Sequence, residues 1–101
     1  MLIIGTVIGV HPVYAVDFTA GIVVTKMAER DRYPFLAGII EGLAYARYKK
    51  DGDSTDGMRC IYEWFYDTKE RQQEILDTFS EFADYTPAAV VAAMVKKECG
   101  A

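Results

Sequence analysis

After Asp17, apolar residues recur three and four apart, and short polar stretches interrupt them; this is the period of amphipathic helices. Five helices are predicted. The first, DFTAGIVVTKMA at 17–28, opens with Asp17 or Thr19 as its cap and carries Ile22, Val23 and Met27. RDR breaks that pattern. Pro34 then begins a second helix running to about Lys49, because a missing N–H costs nothing in a first turn. Its apolar stripe is Leu36, Ile39, Ile40 and Leu43. The third, MRCIYEWFYD at 58–67, turns Met58, Ile61 and Phe65 to the core and places Arg59 within reach of Glu63. Thr68 caps the fourth, KERQQEILDTFSEF, whose stripe is Ile75, Leu76, Phe79 and Phe82. Thr86 before Pro87 starts the fifth, AAVVAAMVKKEC, and Gly100 stops it after Lys96 and Lys97.

Two details refine this picture. Gly38, Gly42 and Ala46 are spaced by four on the second helix. An interior helical glycine costs about 1 kcal/mol relative to alanine, so the spacing predicts a close backbone approach within a soluble core. The stretch KKDGDSTDG, residues 49–57, superficially has the spacing of a calcium loop at Asp51, Asp53 and Thr55. Asp56 stands where that loop needs glycine and Tyr62 where it needs a bidentate glutamate, so a solvated turn is expected.

The start of the chain differs from the rest. LIIGTVIGV is a continuous apolar run, and HPVYA follows with Val13 and Ala15 at the small-residue positions of a cleavage site. This pattern reads as a signal-peptide remnant at 1–15, lacking a basic leader, before a single helical domain at 16–101. The other reading is a buried N-terminal strand or helix. The run is shorter than the roughly 20 residues of a membrane span, so none is expected in the mature chain. Removal of 1–15 takes away His11, the only histidine. It also places the chain in an oxidising compartment, where two cysteines tend to pair. Val91, Val95 and Cys99 form one helical line, which brings Cys99 to an apolar face able to meet Cys60. The rival is a pair of buried free thiols in a cytosolic protein.

These 101 residues are enough for one domain, which at this size buries only about 60–65% of its unfolded surface. A disulfide therefore matters: the fold expected is all-α, a compact bundle of about five short helices stapled by Cys60–Cys99. A net charge of −4 gives no basic footprint for nucleic acid. Nor does the mature chain offer a histidine to activate a cysteine, four nitrogen or sulfur ligands for zinc, or a glycine-rich phosphate loop. Neither catalytic residues nor a metal or cofactor are assigned, and the expectation is a non-enzymatic protein. Tyr45, Tyr48, Tyr62 and Tyr66, as rigid aromatic anchors, and Glu41 are the candidate partner-binding residues. The competing reading of the aromatics is core packing, Trp64 included.

Three segments carry a family likeness: YPFLAGIIEGL, then RCIYEWF, then TPAAVVAAMVKKECG. This layout resembles the Tai-type immunity proteins of type VI secretion systems over roughly residues 33–99. Those are small, secreted, all-helical proteins that block cell-wall amidases in the periplasm. The family often has proline after Cys-Ile, where Tyr62 stands here. A looser likeness is to the HdeA-type acid-stress chaperones, whose first cysteine lies nearer the mature N-terminus than Cys60 does. The resemblance implies a periplasmic or secreted inhibitor whose partner is another protein, a cell-wall hydrolase. The chaperone likeness implies unfolded clients instead, and a homodimer is compatible with either.

Overall fold

The computed structural model describes residues 18–101. The apolar run at 2–10, the cleavage-site residues Val13 and Ala15, and the cap candidate Asp17 lie outside them. Among the described residues the chain forms five helices: α1 Ala20–Thr25, α2 Glu29–Lys50, α3 Asp56–Tyr66, α4 Arg71–Glu81 and α5 Pro87–Cys99. All five contribute to one apolar core. Val23, Leu36, Ile40, Ile61, Ile75, Phe79 and Val91 are its largest fully buried side chains. No helix among the described residues is long and apolar enough to cross a membrane.

Helix α1 is shorter than its pattern predicts and begins after Thr19, whose Oγ1 accepts from the Ile22 N–H at 3.4 Å. It is held from outside. Ala20 donates to the Tyr85 carbonyl at 2.7 Å, and Gly21 donates to the Ala83 carbonyl at 2.9 Å. A Cβ on Gly21 would lie 3.0 Å from the Ala83 Cβ and 3.2 Å from its carbonyl oxygen. The close backbone approach expected at Gly38 and Gly42 thus occurs at Gly21. Both α2 glycines face solvent, with no described atom within 4 Å of their Cβ positions.

Helix α2 starts at Glu29, so RDR is its first turn and Pro34 lies inside it. Three causes act together. Glu29 and Asp31 favour the positive end of the helix dipole. Pro34 is exposed, so the backbone hydrogen bond it forgoes is on the wet side. Arg32 is drawn towards α1: its Nε donates to the Val23 carbonyl at 3.2 Å and its Nη2 to the Val24 carbonyl at 3.1 Å.

Arg32 belongs to a recurring device. The last carbonyls of a helix lack intrahelical partners, and in this chain an arginine from a different helix serves them three times. Arg32 serves α1. Arg71 Nε donates to the Trp64 carbonyl at the end of α3, at 2.7 Å, while its guanidinium lies 4.7 Å from the Trp64 ring centroid. Arg47 serves α5, donating to the Cys99 carbonyl at 3.2 Å and the Gly100 carbonyl at 3.1 Å; Asp51 fixes it by accepting from its Nε at 2.8 Å.

The other predicted elements fare as follows. Helix α4 begins at Arg71, and Thr68 accepts from the Arg71 side chain rather than capping the helix backbone. Ile75, Leu76 and Phe79 are buried as expected, but Phe82 is the C-cap residue and 45% exposed, because the helix ends before its stripe can carry it inward. Arg59 turns away from Glu63 towards Asp56, 3.8 Å away, and its Nη2 donates to the Thr55 hydroxyl at 3.3 Å. Helix α5 follows its signals closely: the Thr86 hydroxyl accepts from Ala89 N–H at 3.3 Å, Pro87 is the first helical residue, and Gly100 ends the helix at φ 81°.

Candidate functional site

Cys60 and Cys99 are joined by a disulfide that ties α3 to the last turn of α5 across 39 residues of sequence. Ile61, Trp64 and Phe65 are buried on the core side of α3. The cluster of aromatics and cysteine in MRCIYEWFYD therefore divides. Cys60, Trp64 and Phe65 hold the bundle together, and Tyr62 and Tyr66 turn outward.

What they meet is Glu41. Helices α2 and α3 run antiparallel, with Arg47 against Gly57 near their connection and Tyr33 stacked on Phe65 at the far end. Glu41 lies between these points. Its Oε1 accepts from the Tyr62 hydroxyl at 2.9 Å and its Oε2 from the Tyr66 hydroxyl at 3.0 Å. Both tyrosines lie on one side of α3 because four residues separate them, and their ring centroids are 6.0 Å apart. Phe65 supports the group from below: its ring stands 4.9 Å from that of Tyr66, edge to face, and 5.5 Å from that of Tyr33. Tyr33 was not among the sequence candidates. Its place directly before Pro34 reads as the region ahead of a helix, whereas it lies within the second turn of α2.

The phenols are held in their protonated form. The hydrogen bond to Glu41 raises Tyr62, with partial burial second. Partial burial beside Phe65 comes first for Tyr66, followed by the Glu41 bond, and it is pushed up to about 12. Two neutral donors thus orient a charged acceptor. Among the described residues no lysine or arginine nitrogen lies within 4.0 Å of the Glu41 carboxylate, whereas Asp51, Asp53 and Glu74 are each paired with a cation.

Tyr45 and Tyr48 continue the Glu41 face of α2 at spacings of four and seven residues. Their rings are 6.5 Å apart, Tyr45 is 63% exposed, and Lys49 Nζ stands 5.8 Å from the Tyr48 ring. The five candidates therefore fall into two groups. Glu41, Tyr62 and Tyr66 are in direct contact, and Tyr45 with Tyr48 forms a neighbouring pair on the same helix. A different surface lies between α4 and α5. Phe82 and Tyr85, edge to face at 6.0 Å, border an apolar groove of about 470 Å³ that also involves Ala89, Ala93 and Met94.

The metal-like spacing in the α2–α3 turn is accounted for by ion pairs. Asp51 accepts from Arg47, and Asp53 from Lys49 at 3.1 Å. Comparison of the chain with family models, curated proteins and solved structures found no match.

Proposed function

We propose that this is a small periplasmic or secreted binding protein without catalytic activity, of the inhibitor or immunity kind, whose partner is a cell-wall hydrolase. The supporting observation is the Glu41–Tyr62–Tyr66 cluster: an oriented carboxylate framed by outward tyrosines on a helical hairpin. That hairpin is tied to α5 by the disulfide and by Arg47. An inhibitor needs a face that is already fixed before its partner arrives, since ordering side chains on binding lowers affinity. Tyrosines supply such faces with few rotatable bonds.

A second reading is an acid-stress chaperone, for which loosely held apolar surface is the requirement. The Phe82–Tyr85 groove is the observation that favours it. A pull-down from periplasmic extract at pH 7 and at pH 3 separates the two. The inhibitor reading expects one hydrolase captured at neutral pH, with Tyr45→Ala and Tyr48→Ala weakening capture while leaving the melting temperature nearly unchanged. Protection of many unrelated proteins at low pH only would replace it with the chaperone reading.

A further inference from the structure

The α2–α3 seam has a chemical preference that the inhibitor reading leaves open. Glu41 sits at its centre with each carboxylate oxygen already accepting one tyrosine hydroxyl. A carboxylate oxygen has a second lone pair, so one acceptor site per oxygen remains. The charge is not neutralised by any described lysine or arginine. Beside it Tyr66 is 43% exposed, and Tyr33, 45% exposed, continues the open aromatic surface towards the far end of the hairpin through Phe65. One turn before Glu41 on α2 is Gly38, where a Cβ would meet no described atom within 4 Å. A side chain there would flank the carboxylate; glycine leaves that approach open.

A planar cation with two parallel N–H donors fits this arrangement. It can bond both carboxylate oxygens at once and lie against tyrosine faces, which attract cations through their ring quadrupoles. An ammonium satisfies the charge but not the paired acceptors. We infer that the Glu41–Tyr62–Tyr66 seam, with Gly38 as its open side, receives an arginine side chain projecting from the partner protein. This rests on the reading of the protein as a binder of another protein, and it names what that partner must present.

The probe is N-acetyl-arginine amide, with N-acetyl-citrulline amide as its neutral isostere, titrated at low salt against the oxidised protein while ring signals of Tyr62 and Tyr66 are followed by NMR. Saturable shifts are expected with the arginine compound and at least about tenfold weaker binding of citrulline, since charge-assisted pairs are roughly twice as strong as neutral ones. Glu41→Gln should abolish the difference between the probes. Gly38→Leu, which leaves the carboxylate and both tyrosines intact, should weaken arginine binding about fivefold or more while helical content is retained, because the open approach to the carboxylate would then be crowded. A structural role for the cluster alone would leave Gly38→Leu without effect on the titration. Equal shifts from arginine and citrulline, or unchanged arginine binding in Glu41→Gln or Gly38→Leu, would overturn the assignment. Capture of a periplasmic hydrolase at pH 7 is scored separately: a captured hydrolase together with indifference to arginine sinks this inference and leaves the inhibitor reading standing.

Discussion

Gly57 sits in the first turn of α3 against the Arg47 side chain, and a methyl group there would stand 2.6 Å from Cζ and 2.7 Å from Cγ of that arginine. Elsewhere a long side chain could swing away. Arg47 cannot do so freely, because Asp51 and the Cys99 and Gly100 carbonyls all hold it. Gly57→Ala is therefore expected to destabilise the protein by about 1–2 kcal/mol, the cost of lost charge-assisted hydrogen bonds outweighing alanine's helix preference. Gly38→Ala and Gly42→Ala should do the reverse. Each gains about 0.5–1 kcal/mol from reduced backbone entropy, since no described atom opposes the new methyl. Thermal unfolding reads the signs directly, as 1 kcal/mol moves the midpoint of a domain this size by about 4–8 °C. Spacing alone cannot make this distinction. Glycines four apart look like a packing stripe in the sequence, yet exposure is set by which side of α2 the other helices occupy. The single glycine at position 21 makes no pattern, yet among the described glycines it is the one that the backbone just after another helix touches, at the Ala83 carbonyl.

At the scale of elements, α1 and the α2–α3 seam show different ways of holding a helix in place. Six residues are far too few for an independent helix, so α1 depends on its neighbours. Arg32→Met keeps the length of the side chain and removes both donors to the Val23 and Val24 carbonyls. The expected result is a loss of about 1–2 kcal/mol confined to α1, read as faster amide exchange there with protection in α3 and α5 unchanged. Along the seam the coupling is through phenols. A phenol whose pKa is raised on folding contributes stability that is fully present below its unfolded value near 10.0 and is lost as pH rises through its folded value, about 12 for Tyr66. Alkaline titration by phenolate absorbance should show Tyr62 and Tyr66 ionising late. Glu41→Gln should return Tyr62 towards its ordinary value, because the Glu41 bond is its main cause. Tyr66 should fall only in part, because burial leads among its causes. Unchanged titration in that variant would mean the hydrogen bonds do not form in solution. Boundaries of elements were legible where a side chain marks its own helix, as Thr86, Pro87 and Gly100 do. They are misread where the marking residue serves another helix: Arg32, in RDR, reads as a polar interruption, and its partners lie in α1.

For the whole molecule, the all-helical class followed from periodicity, and the Cys60–Cys99 pairing followed from placing both cysteines on faces that could meet. The Glu41–Tyr62–Tyr66 bonding was only half legible. Tyr62 and Tyr66 share a side by spacing, but that Glu41 lies between them depends on the register of α2 against α3, which no local pattern encodes. That register is fixed by the turn at 51–55, by Arg47 against Gly57, and by the closure of α5 onto α3. The disulfide secures the last of these. It closes a loop spanning 39 residues, for which the chain-entropy estimate is roughly 4 kcal/mol. A domain of this class typically has about 5–15 kcal/mol in all, so one bond supplies a substantial share. Thiol titration of the denatured, unreduced protein should find no free thiol, and two per chain would defeat the assignment. Cys60→Ser should then lower the melting temperature markedly while leaving helical content in the cold largely intact, because the helices rest on a shared apolar core that the substitution does not enter. The Arg47 bonds to Cys99 and Gly100 should weaken with it, since they require the end of α5 to stay where the disulfide puts it. Combining Cys60→Ser with Arg47→Met should therefore cost less than the sum of the two single changes, as expected for groups that hold the same element. Strict additivity in that cycle would show that arginine and disulfide secure α5 independently.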